Sequence, residues 1–137
     1  MHPRIALLVL VLLPSCRTFS GRARGNPPAS RAVGSFDARL ALTGRSTYVG
    51  ALLLAATSAD SVRGSLRLTS PVPVDVVLTG IVRRDSLMLS GSYTGANGCA
   101  GEMRASLAMP TDRTATGPFQ LADKCAGALS GTMTVTR

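Results

Sequence analysis

The feature that most constrains the fold is a two-residue alternation of apolar and polar side chains, which begins at Phe36 and continues to the end of the chain. Within residues 62–69, Val, Gly, Leu and Leu alternate with Arg, Ser, Arg and Thr. Successive side chains of a β-strand point to opposite faces, so this pattern predicts strands with one buried face. We predict strands over residues 36–42, 48–56, 62–69, 74–82, 87–94, 99–107, 114–121 and 125–135.

Short turns separate these segments, and the clearest is Asn97-Gly98, a strong hairpin signal. Short connections favour antiparallel pairing between neighbours in sequence. Two segments depart from the simple pattern. Residues 48–56 are almost continuously apolar, which fits a very apolar barrel strand, a strand covered on both faces, or a helix. Pro118 interrupts the seventh segment, which predicts a sheet edge or a bulge there.

Glycine recurs once in the apolar row of nearly every predicted strand. These glycines are Gly50, Gly64, Gly80, Gly91, Gly101, Gly117 and Gly131. Glycine weakens a strand, whereas the tight curvature of a small barrel requires it. The sequence therefore predicts an all-β domain, a single small antiparallel meander of about eight strands that forms a closed or nearly closed barrel. A two-sheet β-sandwich with glycines at its bends is the alternative.

The chain begins with the features of a secretory signal. Arg4 and the amino terminus provide positive charge, and residues 5–13 form an uninterrupted apolar run that ends at Pro14. This run is too short for a membrane-spanning helix, which needs roughly 20 residues. We therefore assign residues 1–15 to a signal peptide and exclude them from the folded domain.

The end of the signal, Leu13-Pro14-Ser15-Cys16, resembles the lipobox of bacterial lipoproteins, although Pro14 replaces the small residue usual in that family. The resemblance implies cleavage before Cys16, lipid attachment to Cys16, and a membrane anchor in the bacterial cell envelope, facing the periplasm or the exterior. Residues 16–32 would then be the lipidated Cys and a flexible Arg/Gly/Pro tether, and residues 33–137 the all-β domain. Ordinary secretion with later cleavage is the alternative.

The net charge of +8 is concentrated outside the predicted domain. Five of the 15 basic residues precede residue 33, whereas all seven acidic residues follow it, so residues 33–137 carry a net charge of +3. No basic block with interleaved aromatic residues occurs, although proteins that bind nucleic acids usually have one. We therefore expect no nucleic-acid partner.

Cysteine usage predicts one disulfide. If Cys16 carries lipid, Cys99 and Cys125 remain as an even pair. Each follows a turn and begins a predicted strand on its apolar side, and a meander brings these two strand starts to the same end of the sheet, one strand apart. A disulfide between Cys99 and Cys125 fits an oxidising compartment.

The sequence contains no recognisable catalytic arrangement. The one histidine, His2, lies in the signal, which excludes nucleophile–histidine pairs from the mature chain. The carboxylates are single and lie mostly in turns. There is no glycine-rich phosphate loop or dinucleotide fingerprint. We predict that the protein is not an enzyme and has no catalytic, cofactor-binding or metal-binding residues.

Three functions remain compatible with these observations. The first is a tethered, non-catalytic binding or interaction domain with a protein partner in the envelope. The second is a carrier of a small apolar ligand in the barrel interior, and the third is an inhibitor of a hydrolase. An interior cavity of a few hundred Å3 would favour the carrier.

Overall fold

A computed structural model describes residues 27–137, in which a short 3-10 helix, η1 (Pro28–Ala32), precedes eight β-strands. The strands are β1 (Gly34–Leu42), β2 (Thr47–Ala56), β3 (Ser61–Ser70), β4 (Val74–Arg83), β5 (Ser86–Gly95), β6 (Ala100–Ala108), β7 (Thr114–Asp123) and β8 (Gly127–Thr136). No helix within residues 27–137 is long and apolar enough to cross a membrane. The predicted signal peptide and Cys16 lie outside the described residues.

The eight strands form a closed antiparallel barrel. Each strand pairs with the next, and β8 returns to β1 along a register that runs from Asp37–Thr136 to Leu42–Gly131. The predicted meander barrel is therefore confirmed, and the sandwich alternative is wrong. Within the described chain, closure leaves no strand at a sheet edge, which removes the unpaired backbone groups that promote aggregation.

The apolar segment around β2 is a barrel strand and not a helix. Leu52 and Leu54 lie in the core at 0% and 2% exposure, whereas Leu53 between them is 58% exposed on the outer wall. The continuous apolar run thus reflects a strand whose outer face is also apolar. The alternatives of a helix and of a strand covered on both faces are both wrong.

Pro118 lies inside a continuous β7 and not at an edge or a bulge. It pairs with Thr132 of β8, and the β6–β7 pairs Ala105–Phe119 and Ala108–Thr116 keep one register on either side of it. The missing N–H of Pro118 thus interrupts the β6–β7 ladder only locally. The register shift that does occur lies between β2 and β3, at Val49 and Gly50.

The predicted glycine rows mark places where neighbouring strands approach unusually closely. A Cβ atom added at any of five glycines would lie 1.8–2.1 Å from a backbone carbonyl oxygen of an adjacent strand. These are Gly50, Gly64, Gly91, Gly117 and Gly131. No side chain fits at such a distance, so glycine is required where the small barrel bends.

The interior is packed with apolar side chains at the end of the barrel where η1 lies. Each strand from β2 to β8 contributes one residue that is at most 3% exposed at this end. These residues are Leu54, Val62, Val82, Leu87, Leu107, Ala115 and Val135. We call this the closed end.

Helix η1 is part of the barrel domain. Ala29 and Ala32 are fully buried, and the Ala29 N–H donates to the Ala59 carbonyl at 2.9 Å. Arg31 donates to the carbonyl oxygens of Arg84 and, at 3.2 Å, of Met109. Residues 28–32, which the sequence analysis assigns to the tether, therefore pack against the barrel through the two small alanines Ala29 and Ala32.

Candidate functional site

The end of the barrel opposite η1 is open, and we call it the mouth. Four connections surround it: residues 43–46, 71–73, 96–99 and 124–126. A cavity of about 450 Å3 enters the barrel from this end. The barrel interior is thus filled at one end and hollow at the other.

The walls of the cavity are apolar. They include Leu40, Leu68, Val76, Met103, Leu121 and Leu129. Leu121 and Leu129 face each other across the β7–β8 pair and are only half-buried, unlike their counterparts at the closed end. The hollow exists because aliphatic side chains of moderate size line the mouth, in a chain whose aromatic content is only 4%.

Polar groups form the rim above these walls. They are Arg45, Ser46, Tyr48, Tyr93, Asn97 and Asp123. Both tyrosines of the chain lie here, half-buried on the inner face of β2 and β5. An apolar interior with a few polar groups at its entrance is the usual composition of a small-molecule site.

Asp123 organises one side of the rim. Its Oδ2 accepts the Tyr93 hydroxyl at 2.8 Å, and its Oδ1 accepts the backbone N–H groups of Cys125 and Ala126, each at 2.8 Å. The Ala126 N–H, followed by the Tyr93 hydroxyl and the Cys125 N–H, lowers the pKa of Asp123. Burial, followed by the bond to this carboxylate, raises the pKa of Tyr93. The two side chains therefore form a fixed pair.

The disulfide predicted between Cys99 and Cys125 is present beside this pair, with a Cα–Cα distance of 5.7 Å. Both cysteines lie in turns, just before β6 and β8, and not within the strands as predicted. The bond links the β5–β6 turn to the β7–β8 turn across β7. It therefore fixes one side of the mouth.

Cys99, Cys125 and Asp123 bring three possible metal-ligand atoms within 4.8 Å of one another. The two sulfurs are bonded to each other, so neither is a thiolate, the form in which cysteine binds metals. Both oxygens of Asp123 already accept hydrogen bonds. This cluster is therefore a structural support of the rim.

The lowered pKa of Asp123 predicts a pH-dependent contribution to stability. A carboxylate with a depressed pKa stabilises the fold above its unfolded value, near 3.8, and this stabilisation disappears as the pH falls through the folded value. We expect Asp123→Asn to cost about 1 kcal/mol at neutral pH. The difference from wild type should vanish in acid, as measured by thermal unfolding from pH 7 down to about 2. Asp37→Asn, which removes an exposed carboxylate, is the control; a gap that stays constant with pH would contradict the assignment.

A second concavity, of about 970 Å3, lies on the outer wall of β3 to β7 and is open to solvent. A row of polar residues crosses it from strand to strand: Arg63, Thr79, Ser90, Arg104 and Gln120. The exposed pair Ile81 and Met88 lies beside this row. The outer wall thus offers a surface of mixed polar and apolar residues, whereas the mouth leads into a mainly apolar cavity.

None of the rim residues Tyr93, Asp123 and Arg45 is among the site residues predicted from the sequence. The available signal was the position of the two tyrosines, Tyr48 and Tyr93, both of which lie in the inner row at the same end of the meander. Aromatic hydroxyls in an otherwise aliphatic row indicate a polar boundary.

No protein-family model matches the chain, and no curated protein matches it significantly. Solved structures of small β-barrels are similar. EF1p2_mFAP2b bound to DFHBI has a TM-score of 0.67 at 14% identity, over 82% of this chain and 98% of the other. The redesigned barrel b11L5F_LGL has 0.64 at 14%, over 81% and 95%. The redesigned barrel mFAP1 bound to DFHBI has 0.62 at 13%, over 81% and 99%. At this identity the likeness concerns the fold.

Proposed function

We propose that this protein is a non-catalytic binding protein that holds a small apolar ligand in the mouth of its barrel. The cavity of about 450 Å3 is the observation that carries this proposal. Its volume lies within the range of roughly 300–1,000 Å3 typical of small-molecule sites. The inner residues of the closed end are fully buried, whereas Leu121 and Leu129 at the mouth are only half-buried, so the hollow is local to one end.

The structural comparisons support the capacity of such a barrel for a small molecule. Two of the similar barrels, EF1p2_mFAP2b and mFAP1, are bound to DFHBI. Their identity to this chain is 13–14%, so they indicate what a barrel of this size accommodates and not which ligand is bound here.

We propose further that a lipid on Cys16 attaches the protein to a membrane of the bacterial cell envelope. The lipobox-like Leu13-Pro14-Ser15-Cys16 supports this location. The disulfide is compatible with it, because disulfides persist in oxidising compartments.

A protein partner is the second candidate function. The outer concavity supports it, because its polar row lies beside the exposed apolar pair Ile81 and Met88. Aromatic residues, which usually anchor protein interfaces, are absent from the described residues that line this surface except for Phe119, which is buried. We therefore rank the partner below the ligand. Inhibition of a hydrolase would use the same surface and stays a prediction.

Photolabelling tests the ligand proposal. The full chain in phosphatidylcholine nanodiscs is irradiated with a diazirine-tagged dodecanol, and the labelled peptides are identified by mass spectrometry. We expect label on residues of the mouth. Replacing both Leu121 and Leu129 with Trp should reduce that label by about tenfold, because these facing side chains occupy the entrance.

The matched control is the replacement of both Leu53 and Val77 with Trp. These residues are 58% and 66% exposed on the outer wall, so the same chemical change leaves the cavity open. Equal labelling of wild type and both variants, with the thermal midpoints unchanged, would contradict binding in the mouth.

A further inference from the structure

The charged side chains at the mouth, Asp123 and Arg45, differ in whether they already form hydrogen bonds within the protein. Asp123 contributes both its oxygens to Tyr93, Cys125 and Ala126. The Tyr93 hydroxyl donates its hydrogen to Asp123. The Asp123 carboxylate and the Tyr93 hydroxyl are thus already used in hydrogen bonds within the protein, and neither is directed to a ligand.

Arg45 is in the opposite situation. It is the one basic side chain among the described residues that line the cavity. The ion pairs found within residues 27–137 are Arg31–Asp85 and Arg67–Asp75, and Arg45 takes part in neither. Its guanidinium also has no side-chain hydrogen bond to another described residue. A planar group with five N–H donors is therefore available at the rim.

The position of Arg45 is fixed by its turn. Its backbone N–H donates to the Leu42 carbonyl at 3.1 Å, and Gly44 before it adopts a φ of +69°. The turn therefore holds the base of this long side chain beside the entrance. Below it the wall is aliphatic, formed by residues such as Leu40, Leu68 and Val76.

The cavity thus has an aliphatic inner wall and a basic group at its rim. An aliphatic chain would bury apolar surface against the lower wall, which is favourable in proportion to the area removed from water. An anionic head group at the rim would meet the guanidinium, whose paired N–H donors match the oxygens of a carboxylate or a phosphate. One cavity of about 450 Å3 accommodates one small molecule.

We propose, building on the proposed function, that the ligand is a single-chain amphiphile with an acidic head group, and that Arg45 binds this head group at the rim. The chain of the amphiphile lies in the cavity with its end toward the closed end of the barrel. Arg45 is thus the residue that gives the mouth its preference for acids over neutral chains of the same length.

Competition against the tagged dodecanol tests this assignment in the full chain in phosphatidylcholine nanodiscs. The competitors are dodecanoic acid, dodecyl phosphate and dodecanol, so the two acids also show which head group is preferred. We expect the preferred acid to displace the label at about tenfold lower concentration than dodecanol does. Arg45→Gln should remove this advantage, and Arg45→Lys should retain part of it.

Lys124→Gln is the matched control, because Lys124 carries the same charge in a turn at the same end but does not line the cavity. It should leave the preference unchanged. The bilayer is identical in every sample, so its uptake of each competitor cancels between variants. Equal displacement by acids and dodecanol in wild type, or an equal effect of Arg45→Gln on all three competitors, would overturn the role of Arg45 while leaving the cavity as a ligand site. Absence of label from the mouth would overturn both proposals.

Discussion

Replacing Gly64 with Ala is expected to lower the free energy of unfolding by about 4 kcal/mol or more, at the upper limit of single substitutions. The added Cβ would lie 1.8 Å from the carbonyl oxygen of Leu53. The obstructing atom is backbone of the paired strand β2, so a change of side-chain rotamer cannot relieve the overlap. The strands must separate, and the closed ladder between β2 and β3 must open. Urea unfolding followed by circular dichroism measures the loss.

Gly44→Ala is the control for this substitution. Gly44 has a φ of +69°, but nothing lies within 4 Å of an added Cβ. The same methyl group should there cost only about 1–2 kcal/mol, the usual penalty for a left-handed L-residue. Similar losses at the two positions would mean that close strand approach does not determine where glycine is required in this barrel.

Removing the disulfide by replacing Cys99 and Cys125 with Ala is expected to destabilise the domain by about 3 kcal/mol. The bond closes a loop with a sequence separation of 26 residues. Loss of this constraint raises the conformational entropy of the unfolded chain, which lowers the free energy of unfolding by roughly 3 kcal/mol. For a domain of this size the thermal midpoint should fall by about 10 °C. The label of the tagged dodecanol should also spread over more residues, because one side of the mouth loses its support.

Thiol alkylation of the unreduced, unfolded protein provides the chemical check. Neither Cys99 nor Cys125 should react before reduction, and both should react after it. If the double variant, the reduced wild type and the oxidised wild type all unfold at the same temperature, the bond does not contribute to stability.

The architecture could be predicted almost completely from the sequence, since side-chain alternation, turn residues and glycine recurrence each constrain the same barrel. The alternation over residues 62–69 alone identifies which face of β3 is buried. The errors have physical causes. The segment around Leu53 was ambiguous because its outer face is apolar too. Pro118 predicts an edge or a bulge because the sequence of a single strand does not show that a closed ladder tolerates a local gap.

The site could not be predicted in the same way, because it depends on which end of the barrel is filled. Inner rows at the two ends contain the same residue types, and Leu54 and Leu121 look alike in sequence. Their burial differs because η1 covers one end, with Ala29 and Ala32 inserted, while the other end has only turns. The availability of Arg45 likewise depends on the absence of a neighbouring acid within the described fold, which is a property of three-dimensional packing.

The position of η1 has a consequence for how such a protein would exchange its cargo. The described chain begins at the closed end, so residue 27 and the mouth lie at opposite ends of the barrel. Exchange of the proposed ligand through the mouth would therefore leave the packing of η1 on the barrel undisturbed, because Ala29 and Ala32 are buried at the other end.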